Sequence, residues 1–183
     1  MGSVSKVFSV ILRLGELVCG VIVLALLGRF LHIVAEADVY ADARIIYATV
    51  VSSIAIAFSI LLMPPFTYSF MAFPFDFIMF TLFLVAFCLL ETLTGVNTCN
   101  AAWYWGYWGF FWGGFWRTPV VVTGPGDIDW AGCASWRAVL AFTFISSMAF
   151  LCSTLLGAYV VMKYREEKRH YAQDLSHPVA KAG

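Results

Sequence analysis

The sequence predicts an all-α membrane protein, a four-transmembrane-helix bundle with a long aromatic extracytoplasmic loop between its third and fourth helices. Three observations predict it. Of 183 residues, 62% are hydrophobic and 12% charged, against roughly 45–50% and about 25% in a soluble domain. Four stretches are each long and apolar enough to cross a hydrocarbon core of ~30 Å as a helix. None of them alternates apolar with polar residues, as the strands of a membrane barrel do. Within lipid the backbone must satisfy its own hydrogen bonds, so the stretches read as helices.

The first span covers residues 7–34. Ala35-Glu36-Ala37 has the small-x-small look of a signal cleavage site. The run is nevertheless far longer than a signal core of about 7–15 residues and contains Arg13 and Glu16, so it is expected to remain as a span. Gly2 follows Met1, but position six is Lys6 rather than Ser or Thr, so no myristoyl anchor is expected. An acidic connection, Glu36 to Arg44, leads to the second span, residues 45–63. A turn bracketed by Pro64, Pro65 and Pro74 leads to the third, residues 75–93. The fourth, residues 138–162, follows a loop from Thr94 to Trp136. Residues 1–163 thus make one transmembrane domain, and residues 164–183 a disordered cytoplasmic tail.

Lys6 and Arg13 lie at the start of span one, and Lys163, Arg165, Lys168, Arg169 and Lys181 follow span four. Basic residues concentrate on the cytoplasmic side, which places both termini there and the first and third connections outside. The chain is then a multi-pass protein of the plasma membrane or an endomembrane. Glu166 and Glu167 alternate with the basic residues of the tail and dilute any attraction to anionic lipid. Eleven basic residues against eleven acidic ones leave no net charge, which removes the electrostatic case for nucleic acid.

The loop contains the uncharged run AAWYWGYWGFFWGGFW, residues 101–116. Glycine weakens a helix by about 1 kcal/mol relative to alanine, so the run reads as a sheet-like or irregular flap at the outer leaflet. Trp103, Tyr104, Trp105, Tyr107, Trp108, Trp112 and Trp116 face lipid or a partner in this reading, since such rings favour the headgroup layer. They serve either as an interfacial anchor or as a platform for a sugar headgroup, sterol, sphingolipid or partner protein. Cys99 and Cys133 bracket the flap on the oxidising side, which suggests one disulfide. Cys19, Cys88 and Cys152 fall inside spans and read as small packing residues. His32, His170 and His177 are isolated from one another and from cysteine pairs, so no metal site is expected. No Asn-x-Ser/Thr acceptor pattern occurs.

Charges within spans are functional candidates. Arg13 and Glu16, three apart, share a face and can pair. Asp76 opens span three, where a helix N-terminus stabilises a carboxylate as a cap. Glu91 is expected to pair with Arg137 or Arg29 at the outer rim. Asp76 and Glu91 are separated by about 22 Å of helix rise, too far for one proton relay. No nucleophile elbow or phosphate loop is present, so neither catalysis nor a cofactor is expected. Ala149, Ser153 and Gly157 repeat every four residues and allow a helix to approach closely, as do Ala48/Ser52 and Ala55/Ser59. Such stripes serve contacts within the bundle or between copies of the chain.

The layout resembles the MARVEL-domain membrane proteins, the small fungal members most. The resemblance is carried by FPFDF at residues 73–77, by WRAVLAFTFISSMAFLCSTLLG at residues 136–157 with Arg137 at its start, and by Arg13 early in span one. It covers about residues 6–163 and implies a membrane-organising or membrane-apposition role in lateral domains or trafficking, without catalysis. The flap is longer and more aromatic than the family's loops. Claudin-like proteins carry their Trp and paired Cys in the first outer loop, and tetraspanins a Cys-Cys-Gly in a much larger second one. A different class, a small transporter or channel accessory subunit, would use Arg13, Glu16 and Glu91, and an adhesion protein would act through the outer loop.

Overall fold

The computed structural model describes residues 3–63, 73–95, 98–119 and 121–176. Four long helices dominate it: α1 (Ser3–Glu36), α2 (Ala43–Leu62), α3 (Phe73–Thr94) and α5 (Cys133–Ser176). All four are long and apolar enough to cross a membrane. Between α3 and α5 the chain forms a π-helical turn (Tyr104–Trp108) that runs directly into a short helix, α4 (Gly109–Trp112). Two 3₁₀ turns follow, Phe115–Arg117 and Pro125–Ile128.

Local chemistry sets the helix ends. Asp38 adopts φ +54° just beyond α1, while Val39 N donates to Val34 O and Asp38 N to Ala35 O, a Schellman closure. The Asp42 carboxylate caps α2 by accepting from Arg44 N at 2.8 Å. Pro74 falls in the first turn of α3, where its missing N–H leaves no helical bond unmade. Gly95, at φ +57°, ends that helix by donating to Glu91 O. The turn expected around Pro64 and Pro65 lies outside the described residues.

α1 packs against α2 and α5, and α3 completes the square by packing on the same two helices. The small-residue stripes are internal. Ala48, Ser52, Ala55 and Ser59 are all buried, and a Cβ placed on Gly20 would stand 3.6 Å from Ser52 O and 3.8 Å from Ala55 Cβ. Ile56 Cγ1, 3.3 Å from that Cβ, would have to give by a few tenths of an ångström, so the missing side chain at position 20 eases the close approach of α1 and α2. Ser153 and Gly157 are buried in α5, with Ala149 half-buried beside them.

The core is layered along the bundle. Near the loop, Val23, Leu27, Phe30 and Val34 meet Ile45, Leu90, Trp136 and Val139. Toward the other end, Val51, Ala55, Met79, Phe83 and Phe150 form a second layer, with Phe83 and Phe150 stacked at 5.6 Å. Val18, Val21, Ile60, Val85 and Leu155 point outward and remain exposed. That arrangement suits a bundle whose surroundings are lipid tails.

Two expectations are corrected. The 164–183 segment is not disordered throughout: α5 continues unbroken for 44 residues to Ser176, while residues 177–183 lie outside the description. Lys, Arg and Glu are strong helix formers, and the KYREEKR run contains no glycine or proline to stop a helix already under way. The aromatic run is likewise helical over residues 102–112 rather than sheet-like or irregular.

Candidate functional site

Side chains of the loop supply the first constellation. Cys99 and Cys133 form a disulfide with Cα atoms 5.8 Å apart, tying the start of the loop to the first residue of α5. Tyr104, Trp108 and Trp112 recur every four residues, as do Trp103, Tyr107 and Phe111, so a helical turn gathers each set on one side. Phe30 of α1 stacks on Trp108 at 4.3 Å and meets Tyr107 edge-on at 5.5 Å. Trp136 of α5 closes on Trp108 at 4.8 Å and on Trp103 at 5.1 Å. The three fully buried indole and phenol rings each find an acceptor: Trp108 Nε1 donates to Gly132 O at 3.0 Å, Tyr104 Oη to Ala131 O at 2.7 Å, and Trp136 Nε1 to Thr94 Oγ1 at 3.0 Å, whereas Trp116 Nε1 is buried with no partner among the described residues.

Glycine serves this packing. Ile128 occupies the space where a Cβ of Gly109 would stand, so the 3₁₀ turn seats itself against α4 at the one backbone position that admits it. Contacts of this kind outweigh the helix penalty of Gly106 and Gly109, which is why local propensity misjudges the segment.

The loop is therefore a cap docked on the bundle. Tyr104 and Trp108 are fully buried rather than turned toward lipid or a partner, and Trp103, Trp105, Tyr107, Trp112 and Trp116 are half-buried. The physical reason is that the inward faces of α1 and α5 near Phe30 and Trp136 are large apolar surfaces, and these rings cover them. Further fastenings lie at the edge: Tyr107 Oη donates to Tyr40 O at 3.0 Å, and Arg117 Nη2 lies 3.2 Å from Glu36 Oε2. Burial pushes the Tyr104 phenol up to about 12, against the opposing charge of Arg137, and also raises Tyr107. The exposed Asp127 carboxyl is held below the usual range because Thr123 N, Thr123 Oγ1 and Gly124 N donate to it.

The second constellation lies toward the opposite end of the bundle. Arg13 Nη1 is 2.9 Å from Glu16 Oε2 and 2.7 Å from Asp76 Oδ1, and Nη2 is 2.7 Å from Asp76 Oδ2. Ser153 Oγ donates to Glu16 Oε1 at 2.5 Å. Arg13, Glu16, Asp76 and Ser153 are all buried, and they join α1, α3 and α5. Asp76 sits in the first turn of α3, yet its carboxylate is taken by the Arg13 fork instead of serving as an N-terminal cap. A bidentate guanidinium–carboxylate pair outcompetes the weaker helix-terminus interaction.

Glu91 corrects the rim expectation, since it pairs with neither Arg137 nor Arg29 among the described residues. Trp136 and Leu90 occupy the buried faces at this level, so Arg137 and Glu91, each one residue further along, are turned away from that face. Arg29 lies over the ring of Trp112 at 5.4 Å. Of the three free thiols, Cys19 is buried as a packing residue, whereas Cys88 and Cys152 are exposed. Among the described residues no group of His, Cys, Asp or Glu is arranged to hold a metal ion.

The fold and these sites define a multi-pass integral membrane protein with four candidate spans. Comparison with protein-family models, with curated proteins and with solved structures finds no match.

Proposed function

We propose that this chain is a non-enzymatic membrane-organising protein, a rigid four-span scaffold of MARVEL-like layout that shapes or clusters the bilayer around it. One observation supports this reading most: its strongest polar chemistry is turned inward. Arg13, Glu16, Asp76 and Ser153 satisfy one another across α1, α3 and α5. Between them and the loop stands the apolar Val23–Leu27–Phe30–Val34 layer, sealed above by Trp108 and Trp136. A solute path would need polar groups continuing through that layer. What the bundle offers its surroundings is an extended apolar exterior, the surface by which a protein sorts lipids or neighbouring proteins.

The termini are assigned to the cytoplasm and the disulfide-bearing loop to the opposite, oxidising side, on the strength of Lys163, Arg165, Lys168 and Arg169 beyond the fourth span. The preferred lipid belongs to the sterol or sphingolipid class, and contacts between copies of the chain form through the exposed helix faces.

Reconstitution of the purified chain into liposomes tests the function directly. Lateral clustering of fluorescently labelled protein should exceed that of a single-span control, and ion or solute flux should stay at the level of empty liposomes. Flux that Glu16→Gln abolishes, without clustering, would assign the protein to transport instead.

A further inference from the structure

The outward face of α1 changes character along its length. Ile11, Leu14, Val18, Val21 and Ala25 are exposed at helical spacing and form the face that lipid tails cover. The next positions on the same stripe are Arg29 and His32, both exposed. A cation on a lipid-facing stripe is costly in hydrocarbon, so its head belongs in the phosphate-rich headgroup layer.

The Arg29 guanidinium is held in place for such a contact. Its carbon lies 5.4 Å from the centroid of Trp112. Trp112 stacks on Trp108 at 5.2 Å with 12° between planes, and Trp108 stacks on Phe30 at 4.3 Å. Phe30 follows Arg29 in the chain and is fully buried, so the ring stack is rooted in the core. Trp112 occupies one face of the cation, while among the described residues no carboxylate pairs with it. Glu36, two turns along the same helix, lies 3.2 Å from Arg117 and 3.9 Å from His32.

We propose that Arg29, seated on Trp112, binds the phosphate of a phospholipid in the leaflet at the loop end of the bundle. The planar fork of the guanidinium suits two phosphate oxygens at once. The Ala25–Val21–Val18 stripe continues from the cation along the helix, where an acyl chain of the same molecule would lie. That continuity selects a lipid over free phosphate. This inference concerns a single lipid site and stands independently of the organising role.

The test uses the full chain in detergent micelles, titrated with dioleoyl phosphatidylglycerol while bound lipid is counted by native mass spectrometry. Arg29→Gln should weaken retention about five-fold. Arg137→Gln, an exposed cation of the same end outside the ring stack, should leave it unchanged. Sodium phosphate should neither bind nor compete. Wild-type retention in Arg29→Gln, or displacement of the lipid by sodium phosphate, would overturn the proposal. Should Arg29→Gln lose the wild-type circular dichroism, the wild-type chain decides by itself. It should retain phosphatidylglycerol about five-fold better than dioleoylglycerol, which has the same acyl chains without phosphate, and equal retention would overturn the proposal.

Discussion

Arg13 of α1 reaches Asp76 of α3 across the bundle interior, with each Nη atom 2.7 Å from one carboxylate oxygen. The two helices stand at opposite corners of the square, each flanked by α2 and α5, so this pair ties a diagonal that backbone packing leaves open. Glu16 shares Nη1 and leans on Ser153 instead. With both carboxylates ionised, one cation faces two anions in a medium of low dielectric, and the two acids contribute unequally. Asp76→Asn is expected to cost about 3–5 kcal/mol, because it strips the buried guanidinium of its bidentate partner. Glu16→Gln should cost less than about 1 kcal/mol, since Arg13 keeps Asp76 and the new amide can turn its oxygen to accept from Arg13 Nη1 while its N–H donates to Ser153 Oγ. Denaturant unfolding in micelles measures both, and equal losses would contradict this division of roles.

The aromatic cap should be separable from the bundle. Trp108 is fully buried, stacked on Phe30 and hydrogen-bonded to Gly132 O. Trp108→Ala is expected to cost about 3–5 kcal/mol, the range for a large buried aromatic. The loss should fall on the loop: near-ultraviolet circular dichroism collapses and proteolysis begins between residues 101 and 132, while far-ultraviolet helicity is nearly kept. Loss of the four long helices in step with the loop would show that cap and bundle form one cooperative unit.

The Cys99–Cys133 disulfide encloses a separation of 34 residues. In the chain-entropy account, closing a loop of that length stabilises the folded state by about 4 kcal/mol. Changing both cysteines to serine should lower stability by up to that amount. Combined with Trp108→Ala, the loss should fall short of the sum, because both fasten the same segment and a loop already open cannot be opened twice. Strict additivity would mean that the ring stack and the disulfide act on independent parts of the chain.

Sequence reading reached the four spans because unbroken apolar length is a one-dimensional signal, and the structure places helices over all of them. The disulfide is legible for a related reason, as both cysteines fall in one connection between spans. Glycine propensity misreads the cap because it is local, whereas the packing that overrides it depends on Ile128 and Phe30 arriving from elsewhere. A signal was nevertheless present in the four-residue recurrence of Tyr104, Trp108 and Trp112. The sequence puts Asp76 in the first turn of its helix but reads it as a cap and not as the partner of Arg13, since a contact between residues 13 and 76 leaves no trace in the spacing of either.

Tyr104 makes the cap sensitive to alkali. Its hydroxyl donates to Ala131 O at 2.7 Å and to Trp130 O at 3.2 Å, and a phenolate can donate to neither. Burial raises the folded phenol to about 12, above the ordinary value of about 10. Because the folded value is the higher one, the contribution of Tyr104 is complete below the unfolded value and declines as pH rises through the interval between the two. Near-ultraviolet circular dichroism of the loop should therefore weaken across that interval, in step with a late component of phenolate absorbance. Tyr104→Phe should remove that component and, by leaving Ala131 O short of a donor while Trp130 O keeps Cys133 N, cost about 1 kcal/mol at neutral pH. A late phenolate component that survives this substitution would assign the alkaline transition to another tyrosine and leave Tyr104 a packing residue alone.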